Sequence, residues 1–294
     1  MDANDWMAEQ FEASRSHLGA VAYRMLGSRS DADDAVQEAW FRLSRSDTSD
    51  VKNLRGWLTT VVSRVCLDML RSRRARREEP LDPHVPDPIV DRADRADPEQ
   101  QMILADSVGL ALLVVLEMLD PAERLAFVLH DMFAVSFDEI ATIVDRSPEA
   151  ARQLASRARR RVQGTDTVPD TDIARQRVVV DAFFVAARSG DLQALVAVLD
   201  PDVVLRSDGG TRSPAATVVV RGAEAVAGRA IMFSRPAAVL RPALVNGAAG
   251  VVVMMRERPF SIMGFTIASG RVMAIDVLAD PDRLAQIDLS RLGD

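Results

Sequence analysis

Ser136-Phe-Asp-Glu-Ile-Ala-Thr-Ile-Val-Asp-Arg-Ser-Pro-Glu-Ala-Ala-Arg-Gln-Leu-Ala-Ser-Arg-Ala-Arg-Arg-Arg-Val162 reads as two helices joined by a tight turn. Phe137, Ile140, Ala141 and Val144 recur at helical spacing and form the apolar face of the first helix. Ser136 and Glu139 have capping-box spacing at its start. Asp145-Arg146-Ser147 makes the turn, with Ser147 as N-cap and Pro148 at the first position of the second helix. Ala151, Leu154, Ala155, Ala158 and Val162 then face inward, leaving Glu149, Arg152, Gln153, Ser156, Arg157 and Arg160 outward. Arginine and glutamine in the first half of such a helix reach base edges in a DNA major groove, and the later arginines meet phosphates. A solvated amphipathic helix has the same period. The caps, the small inward residues and the arginine cluster favour the DNA reading.

Net charge works against that reading only until it is mapped. The 294 residues sum to −7, yet residues 146–161 hold six arginines against Glu149, and Arg71-Ser-Arg-Arg-Ala-Arg-Arg77 is a second basic patch. Phosphate contact depends on such local fields. The length predicts two or three domains, and 48% apolar content is ample for their cores. Cys66 is the single cysteine, which excludes an internal disulfide and predicts a packing role. His17, His84 and His130 are scattered, so no metal constellation forms, and His130 beside Leu125, Phe127, Val128 and Leu129 reads as a partly buried core residue. The polar, acidic N-terminus has no signal-peptide core and no run approaches spanning length, so a cytoplasmic location and no membrane are expected.

Residues 5–77 read as helices, with Ser30 capping one from Asp31 and Asn53 one from Leu54. Leu54, Trp57, Leu58, Val61, Val65 and Met69 form its apolar stripe, and Thr60, Ser63 and Arg64 a polar one. Residues 78–98 carry five prolines and a strong acidic excess, a composition that cannot fold alone and predicts a linker. Helix resumes at Asp97-Pro98, and Asp120-Pro121-Ala122-Glu123 repeats the capping-box spacing within a second helical unit, 99–163. Residues 164–173 form a polar hinge. Beyond it, over 174–290, helices near 174–188, 191–199 and 222–233 accompany strands near 202–207, 216–221, 237–246, 249–256, 259–268 and 271–277. Asn246-Gly247 and Ser269-Gly270 mark turns. The fold class is therefore multidomain: two all-α domains followed by an α+β domain.

Two further motifs carry a resemblance. Asp31-Ala32-Asp33-Asp34-Ala35-Val36-Gln37-Glu38 is similar to the acidic string of extracytoplasmic-function sigma factors, and Trp57-Leu58 with Asp68-Met69-Leu70-Arg71 to the helix that follows it. Residues 11–77 thus resemble sigma region 2 and residues 100–163 region 4. The resemblance implies core RNA polymerase (its β and β′ subunits) and promoter DNA as partners. Asp33, Asp34, Gln37, Glu38 and Phe41 would dock on polymerase. Trp57, Thr60, Ser63, Arg64, Arg71, Arg73 and Arg74 would hold the melted −10 element, a task that needs a basic groove and a pocket for a flipped base. Helix 148–162 would read the −35 element, and the linker would thread a nucleic-acid channel. The rival reading is a stand-alone helix-turn-helix regulator with a ligand-sensing C-terminal domain. Such a regulator needs no acidic helix at 31–43.

The third domain resembles the SnoaL/NTF2-like cone, whose presence defines a sigma-factor subgroup. Asp208-Gly209-Gly210 keeps the start of the subgroup's Asp-Gly-Gly-Gly-Lys motif, with Thr211 and Arg212 departing from it. Asp280-Pro281-Asp282-Arg283-Leu284 matches a late Asn-Pro-Asp-Lys-Leu motif. The subgroup's Trp-Leu-Pro-Glu-Pro linker motif lacks its tryptophan, with Leu81-Asp82-Pro83 as the nearest match. Cones also host enzymes, and Arg206, Asp208, Glu257 and Asp276 are acid–base candidates. No histidine lies in this domain, however, and Val252, Met254, Ile262 and Phe265 read as inward core. The expectation is no catalysis and no cofactor, with a small-molecule ligand or a homodimer through this domain left open.

Overall fold

The computed structural model describes residues 3–46, 51, 53–76, 84–93, 109–163, 169–235 and 237–292. The chain gathers into two compact units, residues 1–79 with 115–166 and residues 80–114 with 167–294.

The first unit begins with α1 (Ala3–Leu26), α2 (Arg29–Leu43) and α3 (Leu54–Arg76). Gly27 ends α1 at φ +69°, which leaves Ser28 extended as the N-cap of α2. The cap therefore lies two residues before the expected Ser30. Asn53 does cap α3, its Oδ1 accepting the Gly56 N–H at 3.0 Å. Leu58, Val62, Val65, Cys66 and Leu67 are buried, while Leu54, Trp57, Val61 and Met69 are only half-buried. The packed face of α3 is rotated from the apolar stripe because Thr59 and Ser63 can enter the core. Each returns its hydroxyl to the carbonyl four residues back, Arg55 and Thr59, at 2.9 and 2.6 Å.

Residues 115–163 complete this unit with the end of α4 (Leu110–Glu117, whose residues 110–114 belong to the second unit), α5 (Pro121–Phe127), a π-helical turn Val128–Met132, α6 (Phe137–Val144) and α7 (Pro148–Gln163). The expected start at Asp97 lies outside the described residues. Ser136 and Glu139 form the reciprocal capping box, and Asp145 closes α6 in the left-handed region. Ser147 accepts the Ala150 N–H to start α7. Asp120 caps α5 by position only: its carboxylate pairs with Arg74, and Glu123 is buried against Arg157 and Arg161 at 2.9 and 2.7 Å. Long-range ion pairs have drawn both acids away from the capping box.

In the second unit, α8 (Ile173–Ser189), α9 (Leu192–Val198) and α10 (Ala223–Phe233) pack on a seven-stranded sheet. Its strands are β1 (Val90–Arg92), β2 (Leu199–Asp208), β3 (Val218–Arg221), β4 (Val239–Val245), β5 (Ala248–Met255), β6 (Arg258–Ala268) and β7 (Arg271–Leu278). The order is β1-β4-β5-β6-β7-β2-β3, antiparallel except for β2 against β7. Asn246-Gly247 and Ser269-Gly270 turn with positive φ at every residue, as their sequences require. Irregular register at Val253/Met254 and Thr266/Ile267 adds bends.

Phe183, Phe265, Val251, Val253 and Ile275 meet on the helix-covered face. Val252 and Ile262 pair across β5 and β6 and are buried on the opposite face, so the expected inward set of Val252, Met254, Ile262 and Phe265 is divided between two faces. Burial on both faces erases the alternation that a one-sided sheet displays. Gly264 lies on that second face, where a Cβ would come within 2.9 Å of Leu110. Two stretches read as connectors are in fact seated. Asp170 of the hinge accepts the Ser269 and Gly270 N–H groups, and Val90–Arg92 of the linker is the sheet's edge strand β1.

Candidate functional site

α2 buries Ala32, Ala35, Val36, Ala39 and Leu43. Helical spacing then sends Asp33, Asp34, Gln37, Glu38 and Phe41 to the opposite, exposed face. Phe41 is 44% exposed, an apolar ring beside four polar side chains. On α3, Trp57, Thr60, Arg64 and Arg71 succeed one another at intervals of three, four and seven and share one outward line. Ser63 does not join it, being fully buried. Arg73 is also removed, because it clasps Asp31 of α2 and donates to the Leu26 carbonyl. Arg64 donates to the Thr142 carbonyl at 3.0 Å, and Arg74 pairs with Asp120. Sequence periodicity places side chains on faces but cannot assign partners, so these pairings were not foreseeable.

Along α7, Glu149, Arg152, Gln153, Ser156, Arg157 and Arg160 are all exposed. The arginines nevertheless differ. Arg157 and Arg161 are held by Glu123, and Arg159 by Asp131 at 2.5 Å. Among the described residues no carboxylate pairs with Arg152 or Arg160. Arg71, Arg74, Arg146 and Arg157 line a cleft of about 550 Å³.

The described linker residues are pinned by one constellation. Asp208 ends β2 and is 5% exposed. Its Oδ2 accepts the Val85 N–H at 3.1 Å and Arg283 Nη1 at 2.7 Å, and lies 3.3 Å from His84 Nδ1. Arg283 also donates to the Val85 carbonyl at 2.6 Å and to Asp87. Asn246 secures the next residues, its Oδ1 accepting the Ile89 N–H and its own N–H meeting the Ile89 carbonyl. Gly210, at φ +64°, lets Asp280 approach: a Cβ there would stand 2.1 Å from the Asp280 carboxylate. Asp280 in turn caps Pro281–Leu284 (α11) and so aims Arg283. Asp282 is exposed and pairs with Arg212. A Cβ on Gly209 would meet the Ser213 carbonyl at 2.5 Å.

Sequence reasoning gave Asp208 and Asp280 a regulatory role, named Arg283 only within the late motif and Asn246 only as a turn residue, and passed over Asp87. The described segment seated on Asp208 is His84-Val85-Pro86-Asp87-Pro88; Leu81-Asp82-Pro83, the nearest match to the linker motif, lies outside the described residues. The signal was available: an acid between two prolines, as in the subgroup's linker motif, with histidine in the tryptophan position.

Burial pushes the Asp208 carboxyl up, but hydrogen bonds from His84, Val85 and Gly210 and the Arg283 charge outweigh it and hold the group at about 2. A depressed carboxyl contributes stability above its ordinary pKa near 3.9 and loses it as pH falls toward 2. In an amide NMR titration, the Val85 and Gly210 signals are expected to move with a midpoint near 2 and to stay flat in Asp208→Asn. A midpoint near 4 would mean that the seat does not form in solution.

Comparison with known proteins gives the family. Residues 11–76 match the Sigma-70 region 2 family and residues 109–162 the Sigma-70, region 4 family. The chain is 40% identical over 288 residues to the ECF RNA polymerase sigma factor SigJ of Mycobacterium tuberculosis H37Rv, covering 93% of this chain and 92% of the relative. This chain is an ECF RNA polymerase sigma factor. It accordingly serves promoter-directed initiation of transcription with RNA polymerase. A probable ECF sigma factor of the same species, SigI, is 38% identical over 97% of both chains. The crystal structure of SigJ superposes with a TM-score of 0.75 at 37% identity, over 96% of this chain and 99% of that one.

Of the acid–base candidates in the tail of this sigma factor, only Arg206 and Asp276 meet, as an ion pair. Asp276 is buried and gripped by Arg206 through bonds of 2.6 and 3.2 Å; burial pushes its carboxyl up, and Arg206 opposes the shift. Asp208 is committed to the linker, and Glu257 sits in the β5–β6 turn at φ +62°. Between the helices and the sheet of the second unit, the rings of Phe183, Phe184 and Phe265 meet at 5.4–5.9 Å. Among the described residues no cluster of acids, histidines or cysteine could hold a metal ion, and no helix is long and apolar enough to cross a membrane.

Proposed function

We propose that this sigma factor docks on the polymerase β′ subunit through Asp33, Asp34, Gln37, Glu38 and Phe41. The observation that carries the reading is their common exposed face on α2, which a stand-alone regulator would not need. In the same reading Trp57, Thr60, Arg64 and Arg71 hold the melted −10 strand, whose stacked bases and phosphates suit an aromatic beside arginines. The exposed face of α7 reads the −35 duplex. The labels −35 and −10 stand about 25 base pairs apart, roughly 85 Å of duplex at about 3.4 Å per pair. Arg64 and Arg74 are engaged by Thr142 and Asp120. The first unit is therefore the unbound arrangement, and its two helical modules part on the promoter.

The tail is a regulator acting through the linker it seats. Its ring-filled interior favours a structural role over a ligand-sensing one, and the committed side chains of Asp208 and Asp276 argue against acid–base chemistry.

The test is a titration of core polymerase with labelled protein, full-length, truncated after residue 166, and carrying Glu38→Ala with Phe41→Ala. Saturable nanomolar binding is expected for the unmutated chain, with at least about thirtyfold loss in the double variant, the scale of one interface hot spot. A difference between full-length and truncated chains gives the sign of the tail's control. If no form binds core, the docking assignment fails.

A further inference from the structure

One aromatic stack ties three successive elements of the helix-turn-helix together. The His130 ring, in the π-helical turn, stacks on Phe137 at 3.9 Å between centroids and 27° between planes. The Arg152 guanidinium, on α7, lies over the same Phe137 ring at 5.1 Å from its centroid. The base of the stack is fixed. His130 Nδ1 donates to the Val135 carbonyl at 3.0 Å, and the Val135 N–H returns to the Leu129 carbonyl at 2.9 Å. Ala134 takes φ +55° to close this loop. The capping box of Ser136 and Glu139 then sets the direction in which Phe137 leaves the first turn of α6. Phe137 is consequently half-exposed rather than part of the α6 core, where Ile140, Ala141, Ile143 and Val144 suffice.

We propose that Phe137, backed by His130, positions Arg152 for reading −35 bases and is thereby a determinant of promoter specificity. The proposal rests on the reading of α7 as the −35 helix. Arg152 is the fifth residue of α7, in the half that approaches base edges in this motif. A guanidinium lying on a ring uses its face for the cation–π contact and leaves its in-plane N–H donors free. Those donors are the set that a bidentate contact to a guanine edge requires. Arg157, Arg159 and Arg161 are neutralised by Glu123 and Asp131, whereas no carboxylate among the described residues pairs with Arg152. Its charge is thus placed without being spent. A flexible arginine would have to lose its rotamer freedom on binding, and the stack removes most of that loss beforehand.

The experiment uses full-length protein assembled with core polymerase and a promoter library randomised at the −35 element, with bound and unbound pools sequenced. Arg152→Ala is expected to flatten preference at one or two adjacent positions by about tenfold or more. Phe137→Leu should lose about threefold to tenfold at the same positions, while Phe137→Tyr, which keeps the ring face, should retain them. The double variant of Phe137→Leu with Arg152→Ala should match Arg152→Ala alone, since residues acting through one contact are not additive. If Phe137→Leu leaves the preferences intact while Arg152→Ala flattens them, positioning is overturned. Equal loss on every sequence for Phe137→Leu would also overturn it, assigning the ring to packing. If Arg152→Ala itself changes no preference, the −35 reading of this residue fails and the proposal falls with it.

Discussion

Arg283→Ala is expected to release the linker from the tail and to destabilise the second unit by about 3–5 kcal/mol, the range for removing one partner of a buried ion pair. The Arg283 side chain is 19% exposed and that of Asp208 8%, so water cannot replace the lost guanidinium. Asp87 and the Val85 carbonyl lose their donor in the same step. For a unit of this size the loss corresponds to a melting temperature lower by about 10 °C. Amide exchange at Val85 and Ile89 should accelerate by two orders of magnitude or more, and β1 should lose its pairing with β4. Arg283→Lys keeps the charge but not the fork, and should recover only part of the protection. Unchanged exchange at Val85 would show that Asn246 and the strand pairing hold the linker without Arg283. If the tail governs this sigma factor through the linker, Arg283→Ala should also bring promoter output close to that of the chain truncated after residue 166.

Arg124→Met is expected to act in the opposite direction, raising the stability of the first unit. Arg124 is 3% exposed, its Nε donates to the Arg24 carbonyl at 3.3 Å, and its Nη2 has no partner. Burial pulls its pKa down to about 10, with Glu117 restoring part and Arg73 opposing, so the group stays charged at neutral pH. A buried cation with an unmet donor costs more in desolvation than it recovers. Apolar replacements of comparable volume at such sites are neutral or stabilising by about 1–4 kcal/mol. Thermal unfolding of the full chain gives the sign directly. A lowered melting temperature would mean that the Arg24 carbonyl bond outweighs desolvation.

Much of the fold was legible because its causes are local. The caps at Asn53, Ser136 and Ser147, the Asn246-Gly247 and Ser269-Gly270 turns and the inward residues of α7 each depend on neighbours a few positions away. The outward residues of α2 were named by the resemblance, and the helical spacing of its buried residues places them on one exposed face. Ser63 was misplaced because a hydroxyl that bonds four residues back is as buriable as an apolar group, and periodicity counts it as polar. What sequence alone determined, then, was most of the helices and strands, though not β1, and which residues face outward on α2 and α7. Tertiary structure decided which arginines remain free. Arg73 went to Asp31, Arg74 to Asp120 and Arg157 to Glu123, across separations of 42, 46 and 34 residues. It also decided the fate of the linker, whose composition cannot bury enough surface to fold alone. Asp208, Arg283 and Asn246 supply the partners that this segment lacks, and they are assembled only when the sheet closes.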